Sequence, residues 1–170
     1  MDEHSLHHDD FFAWTREQAD VLRGMRGNPG LPNALDLENV IDEVESMGSE
    51  VRSAVESYIR LILLHLIKVS AAASDVPAAH WRSEIASFQS GLLGRYAPSL
   101  RQVVDLQTAW RRAVKEARLA LEEHGDELPS KIDPTCPVPL DDFLTDDFPF
   151  DEALVAVRRA LDQENSPTRR

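Results

Sequence analysis

Apolar side chains recur every three to four residues along most of this chain, and polar residues occupy the positions between them. This is the period of an α-helix, whereas the alternation of a half-buried β-strand is absent over any useful length. The sequence therefore predicts an all-α protein, an antiparallel bundle of about five helices with a C-terminal strap that is rich in proline and acidic residues.

The first helices have recognisable start and stop signals. Asp9 or Asp10 can cap a helix over the first apolar stripe, or Thr15 can cap a later start. Glycines and prolines within residues 24–32 end that helix in a loop. Asp36 then stands at the N-cap position of the second helix.

The longest apolar stripe follows Asp36. Gly48-Ser49 is expected to break or bend the helix there, because glycine and serine are unfavourable in a helix interior. The stripe resumes at Glu50. Within residues 58–69 the helix becomes apolar nearly all round, which indicates a position at the centre of the bundle.

Three more elements are predicted downstream. Asp75 and Pro77 mark a stop and a new start, after which a fourth stripe begins at Trp81. Pro98-Ser99 is expected to open the fifth and longest helix, which ends at Gly125. Four prolines then predict an extended path over residues 128–139, followed by one helical turn, a terminal amphipathic helix and a loose tail. These prolines are Pro129, Pro134, Pro137 and Pro139.

Length and composition limit the class of protein. A globular chain of 170 residues buries roughly 70% of its surface, which favours one core over two domains. We expect a disordered leader over residues 1–9, a helical bundle domain with its strap over 10–148, and a C-terminal helix and tail over 149–170.

The expected location is the cytoplasm. The single cysteine, Cys136, excludes an internal disulfide and fits a reducing compartment. The acidic N-terminus does not resemble a secretory signal, and no apolar run has the roughly 20 residues of a membrane span. The sequence therefore predicts no membrane association.

Negative charge is concentrated near the C-terminus. The chain has a net charge of −12, and residues 122–152 contain eleven acids and one base. This balance argues against direct nucleic-acid binding, which depends on Lys and Arg contacts to phosphates. We interpret the acidic strap as a solvated surface segment that lies partly on the basic fifth helix. Mimicry of nucleic acid towards a basic partner is the alternative.

Four strings of residues resemble one bacterial family. They are Asp10–Gln18, Asp36–Gly48, Leu64–Lys68 and Cys136-Pro137, in that order. Together they are similar to the family known as domain of unknown function 29, over residues 10–148. The resemblance implies an all-helical fold and no assigned activity. The chain departs from the family pattern at Gln89, where arginine is usual, and by its extension over residues 150–170.

Three carboxylates share one face of the second predicted helix. Glu38, Asp42 and Glu45 have i, i+4 and i+7 spacing, so with an imidazole such as His65 they could bind a divalent metal. If Gly48 turns the chain back, His65 projects roughly 9 Å beyond Glu38, and if the helix runs straight, Glu45 and His65 are about 30 Å apart. Neither arrangement completes a ligand set.

His65 and Lys68 interrupt the most apolar helix, where an ionisable group needs a partner. Pairing this helix with the next one places Lys68 opposite Glu84 and His65 opposite Ser87. It predicts an ion pair of Lys68 with Glu84 and a hydrogen bond from His65 to Ser87 or to the main chain. The alternative is a functional His65 that lines a cleft and is oriented by Glu38 or Glu45. Together, Glu38, Asp42, Glu45, His65 and Lys68 form the candidate polar cluster. Its three acids are otherwise expected to be solvated or paired with Arg52 or Arg60.

The remaining candidates favour structural roles. Aromatic residues on the later helices, Trp81, Tyr96 and Trp110, are expected to fill the core. Cys136 lies among acids, which raise a thiol pKa and disfavour a nucleophile. The histidines His4, His7 and His8 have metal-binding spacing on a leader that is a poor scaffold.

No phosphate loop, nucleophile elbow, dinucleotide fingerprint or zinc-finger spacing is present, and no cofactor is predicted. The leading hypothesis is a non-catalytic protein-interaction or regulatory module with an apolar surface patch for an unidentified protein partner or for self-association. The alternatives are a small metal-binding protein or enzyme built on Glu38, Asp42, Glu45 and His65, and the nucleic-acid mimic.

Overall fold

The computed structural model describes residues 3–71, 78–123 and 125–162, and all of their regular structure is helical. The elements are α1 (Glu3–Asp9), α2 (Phe11–Gly24), α3 (Leu37–Ala71), α4 (Ala78–Leu93), a 3-10 helix (Pro98–Gln102), α5 (Leu106–Glu122), α6 (Leu140–Phe143) and α7 (Phe150–Leu161). The all-α prediction is confirmed. The predicted signal at Asp75 and Pro77 and the tail after residue 162 lie outside the described residues.

The N-terminal leader differs from the prediction, because residues 3–9 form helix α1 and not a disordered segment. The His7 ring packs edge-on against the Phe11 and Trp14 rings, with its centroid 4.5 Å from that of Trp14. The Asp10 amide also donates to the Leu6 carbonyl. These contacts provide the apolar packing that the leader was expected to lack. Asp10, not Thr15, caps α2 through the Ala13 amide.

Helix α3 is continuous for 35 residues, so the break that was one of the two predictions at Gly48-Ser49 is wrong. Gly48 serves a packing role. A Cβ atom at this position would lie 2.4 Å from the Thr15 hydroxyl oxygen on α2. The missing side chain therefore permits close contact between two helices, and the helical hydrogen bonds continue through it.

Helix α5 starts later than predicted. Pro98 opens a short 3-10 helix, and α5 begins at Leu106 after the Asp105 side chain accepts a hydrogen bond from the Thr108 amide. Asp105 is the N-cap at which a new helix begins after the 3-10 turn, so the expected single long helix is two elements. This hydrogen bond and a second one from the Thr108 hydroxyl lower the pKa of Asp105.

The chain divides into two compact units where one core was expected, and α3 contributes to both. Unit 1 comprises Met1–Val55 and Arg95–Val104. Its buried apolar residues are Phe12, Ala19, Ile41, Val55, Ala97 and Leu100. Within it, the Asp10 carboxylate accepts hydrogen bonds from the Ser99 amide and hydroxyl, and so fixes the 3-10 helix to the start of α2.

Unit 2 comprises Glu56–Gly94 and Asp105–Arg170. Its core includes the fully buried α3 residues from Ile62 to Ile67, other than Leu64 and His65, with Ile85, Trp110 and Phe143. Helix α7 belongs to this core, since Val157 is fully buried and Leu154 and Leu161 nearly so.

The proline-rich residues 126–139 of unit 2 contain no helix or strand, as predicted. Three side chains of α5 bind the main chain of this segment. Trp110 donates to the Asp133 carbonyl (2.8 Å), Arg118 donates to the carbonyls of residues 128 and 129, and Gln107 accepts from the Cys136 amide (2.7 Å). These bonds satisfy main-chain groups that lack partners in regular structure. None of the described helices is long and apolar enough to cross a membrane.

Candidate functional site

Two of the three predicted carboxylates of α3 pair with arginines near the end of α2, whereas Asp42 is exposed. Arg26, in the turn after α2, donates to Glu38 from two guanidinium nitrogens, Nε at 2.8 Å and Nη2 at 2.6 Å, and Arg23 of α2 binds Glu45. The Arg26 hydrogen bonds lower the pKa of Glu38. These exposed ion pairs differ from the predicted pairing with Arg52 or Arg60, because the α2–α3 contact was not foreseen.

His65 is the buried polar residue of the predicted cluster, with 9% of the residue exposed. Its Nδ1 lies 2.8 Å from the Leu61 carbonyl oxygen, and its Nε2 lies 3.2 Å from a Glu84 carboxylate oxygen. The rings of Trp81 and Phe88 flank the imidazole at about 5 Å. Both ring nitrogens thus face oxygen atoms of the protein, one from the main chain and one from a carboxylate.

His65 has the main-chain hydrogen bond that was one of its two predicted alternatives, whereas the predicted pairing of Lys68 with Glu84 is wrong by almost one helical turn. Glu84 faces His65 and not Lys68. Lys68 has no ion-pair partner within 4 Å among the described residues. A shift of three residues keeps the same helix faces in contact, so the apolar pattern alone does not distinguish the two registers.

The five candidates are not assembled into one site. Glu38 and Glu45 bind Arg26 and Arg23 in unit 1, while His65 binds Glu84 in unit 2. Twenty residues of continuous helix separate Glu45 from His65. Among the described residues, no group of three His, Cys, Asp or Glu side chains is placed to hold a metal ion.

Unit 2 contains a cleft of about 420 Å³ between α4 and residues 146–150. Two of its polar side chains, Arg82 and Gln89, already bind other groups of the protein. Arg82 bonds to Asp151 at 2.5 Å and lies 4.0 Å from the Phe150 ring centre, and Gln89 donates to the Thr145 carbonyl at 2.7 Å. Gln89 thus fixes the residues before α7.

The other reactive candidates have structural environments. Burial raises the pKa of the Cys136 thiol to about 11, and its Sγ lies 3.3 Å from the Val138 carbonyl oxygen. The thiolate is therefore scarce at neutral pH, and burial, more than the neighbouring acids, is the cause. Trp110 is buried as predicted, whereas Trp81 and Tyr96 are only partly buried.

Part of the apolar stripe predicted after Asp36 lies at the surface of the protein. Apolar residues on the first half of α3 follow the 3-4-3-4 spacing of a coiled-coil seam. They are Leu37, Val40, Val44, Met47 and Val51, and we refer to them as the α3 stripe. Val40 and Met47 are 37% and 43% exposed, and the other three are partly buried. The alternating spacing was the available signal, but it predicts an apolar face without showing whether this chain covers it.

These observations define a small protein whose described elements are all helical and whose described residues include no group of three His, Cys, Asp or Glu side chains placed to hold a metal ion. The chain belongs to the family described as "Domain of unknown function DUF29", whose model matches residues 6–149, which confirms the resemblance. No curated protein matches the chain. The crystal structure of an alpha-helical protein of unknown function from Rhodospirillum rubrum is similar, with 35% identity and a TM-score of 0.79. The similarity covers 88% of this chain and 95% of that one.

Proposed function

We propose that this protein is a non-catalytic interaction module that binds a helix of a partner protein on the α3 stripe. The observation that carries the proposal is the exposure of Val40 and Met47 within a seam of coiled-coil spacing. Exposed apolar side chains in isolation need no explanation, but a continuous row marks a surface suited to association. A helix complements such a row, because its own side chains meet the seam at the same spacing.

The wider organisation follows the same proposal. We propose that residues 10–148 form a bundle domain with the acidic strap, that residues 149–170 extend it, and that the protein works in the cytoplasm. The family match over residues 6–149 supports these boundaries. The hydrogen bonds from α5 to the proline-rich segment support the strap.

Site-specific photo-crosslinking in the native host tests the α3 stripe directly. A photo-crosslinking amino acid is placed at Val40 or Met47, and in matched controls at Ser46 or Ser53, which are exposed on another face of the same helix. We expect one discrete protein adduct from the stripe positions and none from the controls. The adduct is identified by mass spectrometry, and its affinity is measured with both purified proteins.

The affinity measurement separates a specific contact from a chance crosslink. Val40→Glu and Met47→Glu are expected to weaken binding of the identified partner at least about tenfold, because each buries a charge in an apolar seam. Ser46→Glu and Ser53→Glu are expected to leave it unchanged. Equal adducts at all four positions, or equal affinities for all four glutamate variants, would refute the proposed surface.

A further inference from the structure

The acidic residues on the two sides of the α3 stripe differ in whether they have ion-pair partners. Glu38 and Glu45 lie next to the end of α2, where Arg26 in the following turn and Arg23 in the helix bind them. Glu43 and Glu50, on the opposite side of the α3 stripe, are exposed. They are seven residues apart and have neither a hydrogen bond nor an ion pair with another described residue. The flank of the stripe that faces solvent therefore has two uncompensated negative charges, two helical turns apart.

This flank argues against a second copy of the chain as the occupant. A two-fold interface brings the same patch of both copies together. In an antiparallel pair, the Glu43 and Glu50 flank would meet itself, with acid against acid. In a parallel pair it would meet the other flank of the stripe, where Ile41, Gly48 and Val55 are already buried. Self-pairing is thus opposed by charge in one orientation and by packing in the other.

From this arrangement we infer that the α3 stripe binds a basic amphipathic helix, with Lys or Arg beside an apolar seam. The inference rests on the proposed function and specifies the chemistry of its partner. Residues that flank a coiled-coil seam form the ion pairs that select the partner. Lys or Arg at two flanking positions, seven residues apart on the partner, would pair with Glu43 and Glu50. The net charge of −12 adds long-range attraction for a basic partner.

Two designed peptides test the inference with the full-length protein. Both contain three seven-residue repeats with leucine in the seam, and their flanking positions are lysine in one peptide and glutamate in the other. Fluorescence anisotropy of labelled peptide gives the dissociation constants. We expect saturable binding of the lysine peptide, at least about tenfold tighter than binding of the glutamate peptide, and weaker at high salt.

Charge-reversed variants locate the interaction. Glu43→Lys/Glu50→Lys is expected to reverse the preference between the peptides. Glu123→Lys/Glu127→Lys changes the net charge by the same amount at exposed positions elsewhere. This control variant is expected to retain the preference for the lysine peptide. Val40→Glu/Met47→Glu is expected to abolish binding of both peptides, with circular dichroism used to establish that each variant retains its helices.

Each contrary result has a defined meaning. If both peptides bind equally, or if the control reversal acts as strongly as Glu43→Lys/Glu50→Lys, the basic-helix inference is wrong. Failure of both peptides also overturns it, while discrete crosslinks at Val40 and Met47 would still support the proposed function. Crosslinks between copies of the chain, or a dimer in sedimentation that Met47→Glu dissociates, would replace the basic helix with a second copy as occupant. Binding of anionic vesicles in preference to the lysine peptide would also overturn it.

Discussion

Gly48 provides a sensitive test of the fold, because two opposing effects act on one substitution. Alanine in place of glycine favours a helix interior by about 1 kcal/mol. Here, however, the new Cβ would lie 2.4 Å from the Thr15 hydroxyl oxygen and 3.5 Å from a Phe12 ring carbon. Thr15 is only 1% exposed, and its hydroxyl donates to the Phe12 carbonyl at 2.9 Å. The hydroxyl is therefore confined, and the clash must be relieved by movement of α2 against α3.

The two opposing free energies indicate that Gly48→Ala destabilises the protein. Overpacking a buried contact costs typically about 1–3 kcal/mol, which outweighs the gain in helix propensity. Gly48→Ala is therefore expected to lower the free energy of unfolding by about 1 kcal/mol. For a chain of this size, that corresponds to a decrease in Tm of roughly 2–4 °C. Ser49→Ala, at the exposed neighbouring position, gains propensity without a clash and should raise Tm slightly.

A double-mutant cycle isolates the contact. Thr15→Ala removes the clashing oxygen, so Gly48→Ala should become neutral or stabilising in the Thr15→Ala background, with a coupling free energy of about 1–3 kcal/mol. The measurements are thermal and urea unfolding followed by circular dichroism. If Gly48→Ala stabilises the protein as Ser49→Ala does, or if the two substitutions are additive, the assigned role of Gly48 is wrong.

Three further predictions concern other parts of the structure. Cys136, whose pKa is raised to about 11, should react with a thiol reagent at pH 8 about a hundredfold more slowly than in the unfolded chain; rates that differ little would contradict its burial. Burial raises the pKa of Asp10, but hydrogen bonds from Ser99 and the Ala13 amide leave it below its usual value. Asp10→Ala should cost about 1 kcal/mol in urea unfolding at pH 7. Because the folded pKa is depressed, the ionised group stabilises above its unfolded pKa near 4. The free energy of unfolding lost on Asp10→Ala should therefore become smaller as the pH falls below that value. A loss that does not change with pH would contradict a stabilising role of the ionised Asp10 carboxylate. Gln89→Leu leaves the Thr145 carbonyl without its hydrogen-bond donor, so it should lower the free energy of unfolding by about 1–3 kcal/mol. Hydrogen exchange over residues 144–149 should become faster. Unchanged exchange there would show that Gln89 does not hold this segment in place.

Local sequence signals predicted much of the secondary structure. Asp36 precedes α3 and accepts a hydrogen bond from Asn39, as its N-cap position indicated. Leu140 begins the short helical turn that was expected after the prolines. Trp110 is buried on the apolar face of α5. Each of these predictions depends on residues within one or two turns, where spacing and capping chemistry decide the outcome.

Contacts between elements could not be predicted from the sequence pattern. Gly48 is as compatible with a helix break as with a close approach, and only the position of Thr15 distinguishes them. Glu84 was predicted to pair with Lys68, but it lies beside His65. The two helix registers bring the same faces together, so the sequence pattern does not distinguish them. The acidic candidates failed as a site for a related reason, since a shared helical face does not reveal which element covers it.

The attachment of the proline-rich segment to α5 has a consequence for the variation that this region can tolerate. Trp110 and Arg118 donate to main-chain carbonyls, which every amino acid possesses, and Gln107 accepts from a main-chain N–H, which every amino acid except proline possesses. The acidity of residues 126–139 is therefore not what these anchors recognise. Relatives could carry neutral or even basic sequences along the same path, and the surface charge of this region could diverge while its attachment stayed the same.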